Sequence, residues 1–432
     1  MKKVDFLLLS FILSVALLFR LYRINTPLAD FHSWRQVDTA AVARNFVKSG
    51  FDLMRPKYDD FSNVQSGIEN PQGLRMVEFP LYNAIFASIS KYIPGLPIEI
   101  WGRLTSVFFS LIIIAIIHYL TLRESGRLAA FFASLIYAVF PFFVFFSRAV
   151  LPETTALSFS FLAIFFLYLN PRSLFLCLIS LLFFASSMLI KPTVIFFGLP
   201  LTYIFYASSP KKFLKNIIFY LYFILSIIPL YLWRNYIKQF PEGVPVSEWL
   251  ITSVNTGGAL QRIFFKPAFF RWIFFERINN LILGGFAASF FVIGSFLKSK
   301  KLLLHSILVS SLAFLFVFQG GNVQHEYYQT LILPALAIFS GVGISPDQVA
   351  SAKIINSLTG KNDLVVTDTT GDTTLLYLSD RRGAPSIFKD PKTLKELGYN
   401  FLVTSSSSEI DILKSENYFI IFENEKMTIF KL

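Results

Sequence analysis

Residues 30–45 read Asp-Phe-His-Ser-Trp-Arg-Gln-Val-Asp-Thr-Ala-Ala-Val-Ala-Arg-Asn. Two carboxylates, an imidazole and a guanidinium (Asp30, His32, Arg35 and Asp38) fall close together there. From Gln36 onward the stretch favours a helix. On a helix Trp34, Asp38 and Val42 recur every four residues and Arg35 lies three before Asp38, so Arg35 and Asp38 can share a face. Over a membrane cavity that face supplies a carboxylate base and a cation for a phosphate. The plain alternative is an amphipathic interfacial helix with its polar side in water.

A second acid, Glu78, stands just before the apolar stretch that begins Phe79-Pro80-Leu81-Tyr82. There it either gains from a helix N-terminus or orients an acceptor or a cation. Arg148 and Glu153 flank a turn between two apolar runs, and Lys191 ends another. Basic residues at such ends commonly snorkel to the interface. Gly320-Gly321-Asn322-Val323-Gln324-His325-Glu326-Tyr327-Tyr328 opens the last apolar run. Tyr327 and Tyr328 suit an aromatic anchor, and His325 adds a donor for phosphate or sugar.

The composition names the medium that must position these groups. Of 432 residues, 54% are hydrophobic and only 15% charged, and 51 are Phe; soluble domains carry roughly 25% charged residues. Disorder, collagen, coiled coil and an ordinary cytosolic enzyme are excluded. A single cysteine, Cys177, excludes a disulfide framework or a cysteine zinc site. His32, His118, His305 and His325 have no close ligand spacing. Residues 1–344 hold 29 Lys and Arg against 15 Asp and Glu, while residues 345–432 hold 10 against 12. The excess base lies in the apolar part, which suits anionic lipid or phosphate partners and not nucleic acid.

A crossing helix needs about 20 apolar residues. Ten spans follow, at roughly 5–22, 101–121, 128–146, 150–169, 173–190, 193–208, 214–233, 279–297, 302–319 and 328–344. Lys2-Lys3, Arg123 with Arg127, Lys211-Lys212 with Lys215, and Lys298 with Lys300-Lys301 then share one side, which the positive-inside rule makes cytoplasmic. The outside receives long segments at about 23–100 and 234–278, together with the turns that carry Arg148, Glu153, Lys191 and His325. Residues 79–95 read as an interfacial helix in the first of these segments. The tail, 345–432, reads as a small soluble α/β domain. It has helices at Val349–Leu358 and Lys392–Leu397 and strands at Leu364–Thr367, Phe401–Thr404 and Tyr418–Phe422. Thr373–Leu378 is helix or strand, and Met427–Leu432 pairs with the preceding strand. Gly371-Asp372 reads as a turn.

Four pieces in order resemble the GT-C glycosyltransferases, in particular the family 39 group with bacterial protein mannosyltransferases and the aminoarabinose transferase of lipid A. They are His32-Ser33-Trp34-Arg35-Gln36-Val37-Asp38-Thr39 with Ala43-Arg44-Asn45-Phe46; Glu78-Phe79-Pro80-Leu81-Tyr82; Ser147-Arg148 with Pro152-Glu153; and His325-Glu326-Tyr327-Tyr328 with Pro334. The resemblance implies an all-α polytopic membrane bundle of GT-C type, with interfacial helices in the first outer loop, over residues 1–344. It implies a polyprenyl-phosphate sugar donor, a lipid, glycan or protein acceptor, and an active site facing outward from the bacterial cytoplasmic membrane. The family's first-loop Asp-Glu pair falls on Arg35-Gln36 here, so the base is Asp38 by first choice and Asp30 by second. Ten spans place the tail in the cytoplasm, whereas family members with a soluble tail carry it outside.

On that resemblance, Asp38 takes the acceptor's proton while its oxygen inverts the anomeric centre. Arg35, Arg148, Lys191, His325, Tyr327 and Tyr328 receive the leaving phosphate. Glu78 orients the acceptor or a cation, and His32 and Glu153 complete the site. No cofactor is required, and a divalent cation on Asp38 and Glu78 is compatible with hard oxygen ligands. A cell-envelope lipid-sugar polymerase or ligase would share the basic outer face without a positioned carboxylate. A multi-span transporter would show internal repeats and mid-membrane charges, and this chain has no visible repeat.

Overall fold

The computed structural model describes residues 2–245, 266–297, 299, 301–344, 347–369, 375–376, 379–424 and 427–432. The chain divides into two compact units, Met1–Ile344 and Ser345–Leu432.

The first unit is helical. It opens with α1 (Lys3–Leu21), α2 (Ser33–Ser49), α3 (Leu81–Tyr92), α4 (Ile98–Ser125), α5 (Arg127–Val139) and α6 (Pro141–Phe146). There follow α7 (Glu153–Leu169), α8 (Leu174–Ile190), α9 (Gly198–Ser208, led by a 3-10 turn from Pro192) and α10 (Ile217–Tyr236). The last are α11 (Pro267–Ile282), α12 (Ala287–Phe296), α13 (Leu303–Val317), α14 (Gln319–Gln324) and α15 (Leu333–Ile344, led by 3-10 turns from Glu326). Its apolar runs are helical because a chain in lipid must bond its own backbone groups. At its core α15 packs on α5 and α12 at backbone contact. A Cβ on Gly341 would stand 2.3 Å from the Ala133 nitrogen, and one on Gly294 only 1.9 Å from the Phe339 carbonyl. Small residues let membrane helices approach this closely. The outward Leu, Ile and Tyr side chains of α10 remain exposed, as a lipid-facing helix requires.

The apolar segments follow the expected ones, but crossing length does not. Among the described residues only Lys3–Leu21, Ile98–Ser125, Ile217–Gln239 and Glu326–Ile344 are long and apolar enough to cross alone; a bent pair, Pro267–Ile282 with Ala287–Phe296, makes a fifth. The run read as 128–146 breaks before Pro141, which ends α5. The run read as 279–297 is not one straight span. It turns through 116° between α11 and α12, where Gly284 and Gly285 take φ of 65° and 81°. That conformation is costly for other residues. Residues 246–265 of the second outer segment lie outside the described residues, as do Lys298 and Lys300.

The first outer segment carries two helices, α2 and α3, as its pattern suggests. Between them the chain doubles back: Tyr58 N–H donates to the Gly73 carbonyl at 2.8 Å and Arg75 N–H to that of Pro56 at 2.8 Å. Gly73 is required there, because its φ is +61° and a Cβ would sit 2.8 Å from the Tyr58 oxygen.

The second unit holds α16 (Asp347–Leu358), β1 (Leu364–Thr367), β2 (Arg382–Ala384), α17 (Pro391–Glu396), β3 (Phe401–Thr404), α18 (Ser407–Ser415), β4 (Phe419–Glu423) and β5 (Thr428–Lys431). The sheet order is β2-β1-β3-β5-β4. β1 is parallel to β2 and β3, and β5 is antiparallel to β3 and β4. β2 and α18 go beyond the sequence reading. Gly371, Asp372 and most of Thr373–Leu378 lie outside the described residues.

Candidate active site

Glu78 is placed by strand-like bonds on both sides. Met76 N–H donates to the Gly243 carbonyl at 2.7 Å and Phe79 N–H to that of Leu189 at 3.0 Å. Trp233 packs edge-on against Phe79 and donates its indole N–H to the Val77 carbonyl at 3.2 Å. These contacts bring Glu78 to the end of α8, where Lys191 follows.

Four charges then meet in the interior. Arg35 Nη2 donates to both Glu78 oxygens, at 2.6 and 2.8 Å. Lys191 Nζ donates to Glu78 Oε1 at 2.8 Å and lies 2.8 Å from Glu153 Oε1. Arg35, Lys191 and Glu153 are all buried. Such charges persist only when paired, and two cations with two carboxylates are neutral. Burial pushes the Glu78 carboxyl up, but Arg35 and then Lys191 outweigh it and hold the group well below the usual range. Glu78 is a fixed anion. The Lys191 ammonium also sits 5.0 Å over the Tyr328 ring and 6.0 Å from that of Tyr327, within cation–π reach.

Asp38 lies beside Glu78 in the same cleft. A small cleft of about 30 Å³ is lined by Arg35, Asp38, Arg75, Glu78 and Asn83 among others. Arg35 and Asp38 share a face of α2, as their spacing suggests, but they pair apart. Arg35 goes to Glu78, and Asp38 Oδ2 lies 3.4 Å from Arg75 Nη2 without forming a hydrogen bond. The Arg75 guanidinium also stacks 5.1 Å over Tyr58 and donates to Gln65.

His32 enters α2 in the left-handed region, φ 58°, a strained state that clusters at functional sites. Its Nε2 lies 3.0 Å from Glu326 Oε2, and Glu326 Oε1 accepts from Arg277 Nη2 at 2.9 Å. The His32 ring stands edge-on to Tyr327 at 5.1 Å and to His325 at 5.8 Å. Through Tyr327 this group joins the Lys191 cluster.

Asp30 and Arg148 form a separate node. Asp30 Oδ1 accepts from Gln36 Nε2 at 2.6 Å, its Oδ2 lies 3.4 Å from Arg103, and Gln36 Oε1 accepts from Val150 N–H at 3.0 Å. Arg148 donates to the Tyr22 and Arg23 carbonyls at the end of α1. Burial and then the neighbouring Arg103 guanidinium weaken its hold on its proton, with Asp30 opposing. Arg148 also borders an open apolar cleft of about 880 Å³ between α1 and α5–α6.

Of the expected site residues, Asp38, Glu78 and Arg35 line one cleft. Lys191, Glu153, Tyr328, Tyr327, His325 and His32 follow from it contact by contact. Arg148 does not line the cleft, because its guanidinium caps the end of α1. Arg75, Arg277, Glu326 and Arg103 were not singled out from sequence. Arg103 carried a legible signal, a charge inside an expected span. A cation between Asp38 and Glu78 does not fit this arrangement, since Arg35 and Lys191 already occupy the Glu78 oxygens. Among the described residues no three His, Cys, Asp or Glu converge as a metal site.

The sequence model of the dolichyl-phosphate-mannose-protein mannosyltransferase family matches residues 80–233. This stretch runs from the residues just before α3 into α10 and includes Arg148, Glu153 and Lys191. The match bears out the resemblance to a GT-C glycosyltransferase of family 39 type. No curated protein matches the chain significantly. Among solved structures, ArnT from Cupriavidus metallidurans bound to undecaprenyl phosphate is 12% identical over 100% of this chain and 98% of its own, with a TM-score of 0.43. The archaeal oligosaccharyltransferase AglB from Archaeoglobus fulgidus, in complex with an inhibitory peptide and a dolichol-phosphate, is 9% identical over 94% of this chain and 69% of its own, with a TM-score of 0.44.

Proposed function

We propose that the protein transfers a sugar from a polyprenyl-phosphate donor to an acceptor hydroxyl at the outer face of the bacterial cytoplasmic membrane, with inversion. The family match supports the reaction class. The observation that carries the mechanism is the contrast inside one cleft: Glu78 is neutralised by two cations, whereas Asp38 keeps an oxygen without a hydrogen bond.

Asp38 accepts the proton of the acceptor hydroxyl as that oxygen attacks the anomeric carbon. The bond from that carbon to the phosphate oxygen breaks, and its electron pair leaves on polyprenyl phosphate. Asp38 then returns the proton to water. General-base help of this kind contributes roughly 10²–10⁴ in rate. Arg148 suits the leaving phosphate. It stands outside the Asp38 cleft but borders an apolar cleft fit for a prenyl chain, so it would meet the phosphate at the lipid end of the donor. Arg35 and Lys191 hold the cleft in shape through Glu78 and Glu153, while His325 and Tyr328 face the sugar.

Proteoliposomes supplied with labelled polyprenyl-phosphate sugar test this reading. The expected products are a glycoside of inverted anomeric configuration and free polyprenyl phosphate. Uptake of label without a covalent product would make the protein a transporter. Chain growth that survives Asp38→Asn would make it a polymerase or ligase.

A further inference from the structure

The far ends of α4 and α7 enclose a second polar cavity, of about 240 Å³. Tyr119 and Arg123 of α4, Tyr168 of α7, Tyr203 of α9 and Lys301 before α13 line it. At 1.5 Å per residue, Tyr168 lies roughly 22 Å along α7 from Glu153, so the cavity stands at the opposite end of the bundle from the buried quartet.

Its walls are fixed. Leu302 N–H donates to the Tyr203 hydroxyl at 3.0 Å, pinning the start of α13 to α9. The Tyr168 hydroxyl donates to Glu124 Oε1 at 2.6 Å, and Arg123 stands beside it. Arg172 donates to the Ser208 carbonyl at the rim, at 3.2 Å. No carboxylate lines the cavity, and neither Arg123 nor Lys301 is ion-paired among the described residues. The outer cleft balances Arg35 and Arg75 against Asp38 and Glu78; this one carries two cations and no lining carboxylate, Glu124 lying behind Tyr168. Three phenols ring them, and Leu169, Ile204 and Leu303 continue the lining as an apolar wall.

We propose that this cavity binds the phosphodiester headgroup of an anionic phospholipid, with the phosphate between Arg123 and Lys301 and the phenols around it. Basic pockets between membrane helices take such headgroups. Tyrosine combines an apolar ring with a polar tip at that depth. The apolar wall receives the first carbons of an acyl chain, which a free phosphate would leave empty. The proposal is independent of the transfer reaction.

The test uses the full-length protein in detergent, with native mass spectrometry of bound lipid. Phosphatidylglycerol should be retained about tenfold over phosphatidylcholine, in keeping with two juxtaposed cations. Arg123→Gln with Lys301→Gln should abolish the preference. Arg123→Lys with Lys301→Arg should keep it, and so should Lys212→Gln, a basic change that does not line the cavity. An unchanged preference in the Gln pair overturns the proposal, provided its melting temperature matches the parent. If the Gln pair fails to fold, the parent decides by competition. Displacement of phosphatidylglycerol by millimolar inorganic phosphate would assign the site to free phosphate and overturn the lipid; resistance to it supports the lipid.

Discussion

Glu78 and Asp38 line the same cleft and live in different chemistry. Glu78 meets a guanidinium and an ammonium, each in turn buried, and its charge is spent on architecture. Asp38 has its ion pair with Arg75 at 3.4 Å and keeps a buried oxygen without a hydrogen bond. An anion with two short cationic partners does not take up a proton near neutral pH, so on the proposed reading the base is the other carboxylate of the cleft. That reading divides the site into an ion-paired half, Arg35–Glu78–Lys191–Glu153, and a proposed working half around Asp38.

The strongest way to break that division is Lys191→Met. It strands the buried Glu153 carboxylate, while Glu78 keeps Arg35, and should lower stability by about 3–5 kcal/mol, read as a large fall in melting temperature in detergent. Acid titration sharpens the same point. Glu78 has a depressed folded-state value, so its stabilisation is full above the ordinary glutamate value of about 4.3 and drains away as pH falls below it. The melting temperature of the parent should drop on acidification below that point, and that of Glu78→Gln should start lower and change less. Arg148→Ala leaves both halves of the cleft intact and should weaken donor use about tenfold, as loss of one charged contact does. An effect on acceptor affinity alone would remove Arg148 from the leaving group. The smallest change is expected at the exposed Arg44–Asp59 pair. Asp59→Asn should shift stability by less than about 1 kcal/mol, which calibrates how little an ion pair contributes outside the cleft.

The helical body and the small mixed sheet were legible because long apolar runs and short β-branched runs have few alternatives in lipid and in water. The turn between α11 and α12 was not. Gly284-Gly285 sits inside an apolar run whose hydropathy hides a break, and only the positive φ values reveal it. β2 is three residues, Arg382-Gly383-Ala384, with no apolar alternation to announce it. In the site, residue types were readable and partners were not. Arg35 and Asp38 share a helix face as their spacing indicates, yet each finds its ion partner tens of residues away, at Glu78 and Arg75. Spacing along one helix cannot foresee that choice. Arg148 looked like a cleft residue because it lies on the expected outer side, but the carbonyls ending α1 were nearer.

Turnover and melting temperature of Asp38→Asn, measured beside Glu78→Gln, test the division most directly. Asp38→Asn should cost roughly 10²–10⁴ in transfer rate with little change in melting temperature, while Glu78→Gln should melt markedly lower. Full transfer by a normally folded Asp38→Asn protein would contradict the account.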